Sequence, residues 1–322
     1  MARYFIVGGA GFIGSHFCDH LMSLADTSAV TIYDNFTSGR DWHVAHHLSD
    51  PRFSIARGEI SDSKLLTEAM AGHDVVIHLA SNPDIAKAVT EPDIDFREGT
   101  LLTNNVLEAM RLGSVPRILY ASGSGVYGDT GELVVHEDHS PIKPISTYGA
   151  SKLGCEALIS AYSFMFGIRG VCFRFGNVVG PRQTHGVGFD FVRRLRADGT
   201  HLRILGDGRQ DKSYIHVSDV IAAVMWAHVH CKEDFEVFNV ATGDTITVND
   251  IADLCCEVVG LAPHKVRYEY TGGDRGWKGD VPVIRLDISR IRALGWPGAR
   301  PTRVALKLSL EALNSEAVRG LI

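Results

Sequence analysis

The chain has 322 residues and a formal charge of −6, from 32 basic and 38 acidic side chains. Hydrophobic residues make up 45% and charged residues 22%, which suits a folded globular protein and excludes a disordered chain. The acidic balance argues against nucleic acid as a partner, because a phosphate backbone demands a basic face.

In chain order, Tyr4-Phe5-Ile6-Val7 is an apolar run stopped by Gly8, Gly9 and Gly11, and reads as a strand. Residues 14–24 follow as a helix, apolar at Phe17, Leu21 and Leu24. Val30 to Tyr33 reads as a strand, 63–71 as a helix and 74–80 as a strand. A helix over 103–112 and a strand over 117–121 come next, then a helix over 147–166 and a strand over 170–175. Continuous apolar strands separated by helices predict an α/β fold, a Rossmann-like doubly wound parallel sheet covered on both faces. After Gly176 the strand–helix rhythm weakens. One further strand over 235–240 is expected to return to the sheet, a turn-rich stretch spans 271–280, and a helix covers 303–314. The expected division is a dinucleotide-binding domain of 1–175 with a returning segment of about 214–243. Residues 176–213 and 244–322 would form a smaller, discontinuous α/β cap that binds substrate.

Six cysteines at 18, 155, 172, 231, 255 and 256 include no Cys-x-x-Cys pair and read as buried thiols in a reducing cytoplasm. No apolar run approaches the ~20 residues of a membrane span, and the glycine-broken N-terminus does not read as a signal peptide. A cytoplasmic protein with no membrane partner is expected.

Gly8, Gly11 and Gly14 have the spacing G-x-x-G-x-x-G between a strand and a helix. Missing side chains let the chain turn tightly and let a pyrophosphate approach the helix N-terminus. Asp34 ends the second strand, where a carboxylate can bind both hydroxyls of an adenosine ribose. It would repel a 2′-phosphate and so favours NAD, with Arg40 leaving NADP as the lesser option; the cofactor role is preferred over that of a simple turn-forming Asp before Asn35. Tyr148 and Lys152 are four residues apart, one helical turn, and share a face. A free tyrosine titrates near pH 10, too high for a base at neutral pH, and a nearby ammonium stabilises the phenolate.

With these residues in place the chain resembles the extended short-chain dehydrogenase/reductase family, within it the nucleotide-sugar epimerases and dehydratases. The similarity runs through Gly8 to His16, Asp34-Asn35, Ser38-Gly39-Arg40, His78-Leu79-Ala80 and Val126-Tyr127-Gly128. It continues through Tyr148, Lys152, Arg174 to Arg182, Gly206-Asp207-Gly208, Ser213 to Val220, and Arg275 with Gly279-Asp280. Asn82-Pro83-Asp84, Thr184-His185-Gly186 and Gly272 to Trp277 are most similar to the family's microbial UDP-hexose 4-epimerases.

The resemblance implies NAD held by Gly8, Gly11, Phe12, Ile13, Gly14, Asp34, Asn35, Ser38, Gly39, Glu59, Ile60, Leu79, Ala80, Ser122, Tyr148 and Lys152. It implies a nucleotide sugar, UDP-linked by preference, held by Asn82, Ser124, Tyr148, Asn177, Lys212 and Arg275, and catalysis by Tyr148, Lys152 and Ser124. The implied reaction is 4-epimerisation of a UDP-hexose or UDP-hexuronic acid through a 4-keto sugar, in a homodimer joined through the helices near Leu101 and Tyr148. A 4,6-dehydratase, decarboxylase or 4-keto reductase, or a non-catalytic NAD-binding homologue, are the alternatives.

Three positions depart from the family. Gly123 stands where it has the serine or threonine that bonds the reacting hydroxyl, so Ser124 is expected to serve; Gly99 replaces an asparagine; and Lys212 replaces an arginine. Ser124 and Gly125 occupy the places of the acid/base pair of dehydratases, which disfavours that reaction. His43, His46 and His47 have a helical spacing that could hold a metal, but with no carboxylate partner evident they read as a solvated face, and no metal is expected. His185 could touch substrate or only line its loop, Trp277 is expected to pack in the cap, and Glu137-Asp138-His139 reads as a surface loop.

Overall fold

The computed structural model describes residues 1–322, which fall into two compact units. The first comprises Met1–Val126, Ser146–Arg174 and Val224–Phe238; the second comprises Tyr127–Ile145, Phe175–Ala223 and Asn239–Ile322. This division differs from the expected boundaries mainly in grouping Tyr127–Ile145 with the later chain.

The first unit is a seven-stranded parallel sheet. Its strands include β1 (Ala2–Val7), β2 (Thr27–Asp34), β3 (Phe53–Arg57), β4 (Val75–His78) and β5 (Arg117–Gly123). The spatial order is Phe235–Val240, Arg169–Phe175, β5, β4, β1, β2, β3. Tyr4 to Val7 pair in register with Val75 to His78 on one side and with Val30 to Tyr33 on the other. The order reverses between β1 and β4, and a doubly wound sheet binds ligands at the carboxyl ends of its strands beside such a switch point.

The helices on this sheet are α1 (Phe12–Ser23), α2 (Ser63–Met70), α3 (Leu102–Gly113) and α4 (Thr147–Phe166). Ser146 caps α4 by accepting from the Gly149 amide at 3.0 Å, and Gly167 ends it at φ +71°, where the missing Cβ avoids strain. Phe5, Tyr33, Leu66, Met70, Val106, Met110, Tyr120 and Ile159 form one continuous core. The elements expected from sequence are present with ends shifted by a few residues. β3 is an addition: Phe53-Ser54-Ile55-Ala56-Arg57 alternates rather than running apolar, as suits an edge strand with one buried face.

The second unit packs the helices Val187–Ala197, Val248–Val259 and Thr302–Val318 around Phe191, Val192, Leu254, Leu306 and Leu310. Short two-stranded pairs surround them, among them Asn177–Val179 with Tyr214–His216 and His201–Ile204 with Arg267–Tyr270, both parallel. Glu137 is buried here, not on a surface loop: its carboxylate accepts from the Asn239 amide at 2.8 Å and faces Arg290. Tyr127 donates to the side-chain oxygen of the same Asn239 at 2.8 Å.

Candidate active site

The glycine turn lies at the switch point. Gly8 sits at φ +83°, and a Cβ there would be 2.9 Å from the Ala80 nitrogen. A Cβ on Gly14 would fall on the Gly8 carbonyl oxygen. The Leu79 and Ala80 amides donate to the Val7 carbonyl at 2.9 and 3.2 Å, which fixes the end of β4 against this turn. Helix α1 starts at Gly11 with no side-chain cap and no acid in its first turn. The amides of Phe12, Ile13 and Gly14 open that turn with no intrahelical acceptor, so the helix end can take an anion such as a pyrophosphate.

Asp34 ends β2 and is nearly buried. Its oxygens accept from the Ala10 amide at 2.9 Å and the Phe36 amide at 2.8 Å. Each carboxylate oxygen keeps further acceptor capacity, which suits a ribose diol. Burial pushes this carboxyl up, and the two amides, with Arg57, pull it back. Gly39 packs against Ala10 and Asp34, and Asn35 donates to both oxygens of Glu59 at 3.2 and 3.0 Å. Ser38 stands beside Gly39 in the same turn, and Ile60 follows Glu59, buried, with its carbonyl accepting from Asn105. The Arg40 side chain is exposed and donates to the Gly39 carbonyl. These residues fit NAD on chemical grounds: a glycine cradle, a free helix N-terminus and a carboxylate at the end of the second strand.

Tyr148 and Lys152 lie on the first turns of α4, with Lys152 Nζ 5.5 Å from the Tyr148 ring centre. Lys152 is buried and donates to the Ala121 carbonyl at 2.8 Å, above the Tyr120 ring. Behind it, His78 is fully buried, and its Nε2 lies 3.0 Å from the Thr103 hydroxyl. Burial, helped by the Lys152 charge, pulls the His78 imidazole down to about 3, so it stays neutral.

Asp95 braces this helix. Thr147 donates to Asp95 Oδ2 and Ser151 donates to the Asp95 carbonyl, both at 2.7 Å, on either side of Tyr148. Asn82 donates to Asp95 Oδ1 and to the Asp84 carbonyl, each at 2.9 Å, while its own oxygen accepts from the Asp84 amide. The buried Asn82 amide is thus spent on bracing, and a substrate role for it would require exchanging one of these bonds. Gly99 lies in a π-helical turn, Phe96–Leu101, and a Cβ there would collide with the Ser151 hydroxyl. The side chain missing at Gly99 leaves the room that Ser151 fills. Sequence reading missed Asp95; its signal was an acid among apolar neighbours ahead of a helix.

Ser122 and Ser124 separate. Ser122 is buried and donates to Glu156, which pairs with the buried Arg174 at 2.7 Å. A cofactor role for Ser122 therefore rests on its place at the end of β5, since its hydroxyl proton is committed. Ser124 opens the one-turn helix Ser124–Tyr127, and a Cβ on the next residue, Gly125, would be 3.8 Å from the Gly149 Cα. This turn abuts the start of α4. A Cβ on Gly123 would meet nothing within 4 Å.

In the second unit Asn177 donates from its backbone and side chain to the Ser213 carbonyl, both at 3.1 Å. Lys212 pairs with Asp280. Arg275 pairs with Asp129 and donates to the Asp280 carbonyl at 2.8 Å. The structure therefore gathers the expected substrate cations Lys212 and Arg275 around one residue, Asp280. His185 lies with its Nδ1 3.2 Å from the Thr184 hydroxyl, and Trp277 is half-buried.

The profile of the NAD dependent epimerase/dehydratase family matches residues 4–241. A protein of Methanocaldococcus jannaschii, provisionally named UDP-glucose 4-epimerase, is 34% identical over 298 residues, which are 90% of this chain and 92% of that one. A crystal structure of a UDP-galactose 4-epimerase superposes with a TM-score of 0.84 at 36% identity, covering 98% of this chain and 99% of the other. A dTDP-glucose 4,6-dehydratase from Streptomyces venezuelae, crystallised with NAD bound, superposes with a TM-score of 0.89 at 25% identity, covering 99% of this chain and 100% of the other.

Proposed function

The chain belongs to the NAD-dependent epimerase/dehydratase family and its cofactor is NAD, and from that premise we propose that it is a nucleotide-sugar 4-epimerase acting on a UDP-hexose or UDP-hexuronic acid. The observation that carries this reading is the pairing of Tyr148 with a buried, anchored Lys152 beside a turn, Ala121 to Val126, that contains no carboxylate. Elimination of water needs an acid and a base near the sugar, and Ser124 and Gly125 supply neither. Proton exchange at one hydroxyl needs only Tyr148. The names of two of the relatives, both UDP-sugar 4-epimerases, support the same choice over the dehydratase.

In this mechanism Tyr148 accepts the proton of the sugar 4-hydroxyl. NAD, when bound, supplies the hydride acceptor and later the hydride donor. The 4-keto sugar would then turn over so that hydride returns to the other face of C4, and Tyr148 gives the proton back to the C4 oxygen. Lys152 uses one of its three N–H bonds on Ala121 and has two left for the nicotinamide ribose and the phenolate. Ser124 bonds the reacting hydroxyl in place of the side chain absent at Gly123. Asn177, Lys212 and Arg275 hold the diphosphate, with Arg275 giving the charge-assisted contact. Gly8 to Gly14, Asp34 to Gly39, Glu59-Ile60 and Leu79-Ala80 hold the cofactor.

Incubation with UDP-glucose, UDP-galactose and UDP-glucuronic acid in heavy water tests the reaction by chromatography and mass spectrometry. The expected product has unchanged mass, a new retention time and no solvent deuterium. Loss of water or carbon dioxide, or no conversion of any UDP-sugar, overturns the reading.

We also place a second copy of the chain against α3 and α4. Leu101, Leu112, Phe164 and Met165, on or beside these helices, are exposed, Phe164 at 94%, and large exposed apolar side chains are what a partner surface would cover. A dimer is expected by light scattering, and a monomer contradicts it. The proposed cytoplasmic setting rests on six buried cysteines, none of them in a disulfide. No helix is long and apolar enough to cross a membrane.

A further inference from the structure

Asp19 lies on α1, and His46 and His47 lie on the short turn Ala45–His47. Both imidazole Nε2 atoms reach the same oxygen, Asp19 Oδ1, at 2.7 and 2.8 Å. One ligand atom from each of the three residues lies within 4.8 Å of the other two. The carboxylate that the histidines lacked in the sequence is thus supplied from the preceding helix, 27 residues before His46.

We infer that Asp19, His46 and His47 form a binding site for a divalent transition-metal ion, with Zn²⁺ the best fit. Two imidazole nitrogens and one carboxylate oxygen are a borderline donor set that suits Zn²⁺, Ni²⁺ or Cu²⁺, whereas Mg²⁺ and Ca²⁺ want oxygen donors throughout. Tetrahedral Zn²⁺ holds its ligands at about 2.0–2.1 Å, which separates the donor atoms by about 3.3 Å. Each imidazole nitrogen needs to move away from Asp19 Oδ1 by only about half an ångström to admit the ion. His46 is about half exposed, so its ring can make that movement and the fourth position faces solvent for a water ligand. His47 is the fixed ligand: its ring is mostly buried and packs on Phe53 at 5.3 Å between centres. On binding, each histidine would present an unprotonated Nε2 lone pair to the ion and keep its one ring proton on Nδ1.

The site joins two segments that also carry cofactor residues. Helix α1 begins at the glycine turn, and the chain from Asp34 through Gly39 leads into the histidine turn. His43, in the same stretch, places its Nδ1 2.8 Å from the Ala10 carbonyl of the glycine turn. A cation at Asp19 would staple these segments together from outside the cofactor site, and it is independent of which sugar the enzyme turns over.

The test uses untagged, chelator-treated protein that keeps its NAD. Zn²⁺ is titrated in competition with a chromogenic indicator, and Co²⁺ binding is followed by the strong visible absorption of a four-coordinate ion. One Zn²⁺ per chain is expected, with a rise in the thermal unfolding midpoint. His46→Gln, His47→Ala and Asp19→Asn are each expected to weaken binding at least tenfold. His201→Ala is expected to change nothing, although His201 also lies between two carboxylates, Asp198 at 3.5 Å and Glu269 at 3.1 Å. Because His46 is exposed, His46→Gln keeps the fold, which circular dichroism verifies. No binding by the native protein, or undiminished binding in a His46→Gln/His47→Ala double variant, overturns the assignment.

Discussion

In the unit built on the parallel sheet, Gly8, Leu79 and Ala80 are placed by the ends of β1 and β4; in the other unit, Lys212 and Arg275 are placed by Asp280 and Asp129. The first arrangement is backbone geometry and cannot be exchanged without moving a strand. The second is a set of ion pairs between side chains distant in sequence. Arg275 and Asp129 are 29% and 33% exposed, and a pair so open to water contributes about 0–1 kcal/mol. A diphosphate can take Arg275 from Asp129 at little cost. The Arg174–Glu156 pair behind β5 is 5% exposed on both sides, and removing one partner of such a pair costs about 3–5 kcal/mol. On the proposed function, the expected cofactor and catalytic residues thus lie in a fixed frame, and Arg275 is an exchangeable cation of the other unit.

The largest effect expected of the fixed frame is that of Tyr148→Phe. Turnover should fall by about 10²–10⁴-fold, the usual contribution of a positioned acid/base group, while bound NAD is retained; undiminished turnover would break the assignment of the chemistry to this unit. On the exchangeable side, Arg275→Ala should raise KM by about 10–100-fold, the worth of a charge-assisted hydrogen bond, with NAD content unaltered. Loss of NAD in that variant would show that the two regions are not separable in this way. Asp95→Asn should lower kcat about tenfold with KM nearly unchanged, because Tyr148 is displaced while the diphosphate contacts are not. Steady-state kinetics checks both halves of that split.

A smaller gain is expected from Gly123→Ser. The empty space around a Cβ at this position admits the hydroxyl without repacking, and turnover should rise severalfold if the reacting hydroxyl lacks an optimal partner. The smallest effect is on stability. Folding holds the His78 imidazole down at about 3 against an ordinary 6.5, by burial first and the Lys152 charge second. Between those values the unfolded chain binds a proton that the folded chain refuses, so the stability His78 contributes is complete above pH 6.5 and is lost as pH falls toward 3. Urea unfolding at pH 7 and pH 5 should show a shallower loss for His78→Gln than for the native protein.

The same contrast governs what the sequence made legible. Gly8, Gly11 and Gly14 announce themselves because a tight turn into a helix requires those spacings, and Tyr148 and Lys152 because one helical turn separates them. Strand and helix periods locate the sheet for the same reason. Asp95 was missed, since its role depends on a partner 52 residues away, Thr147, and Asp280 was marked without its partner Lys212, 68 residues away. Asp19 was hidden likewise, with its histidines on another element. Ser122 shows a subtler limit. Neighbours on a strand face opposite sides, so its hydroxyl points to Glu156 on α4, and only the alternation along β5 carried that signal. Glu137 was read as exposed from its polar neighbours, yet the Asn239 amide and Arg290 that accommodate it lie far along the chain.

The central claim is that the hydrogen at C4 leaves and returns within one site served by Tyr148. UDP-glucose carrying deuterium at C4 tests it most directly. Converted to its epimer in ordinary water, the product should retain the deuterium at C4, in the native protein and in Gly123→Ser alike. Deuterium lost to solvent, or found at C6 of a product lighter by one water, would contradict the account.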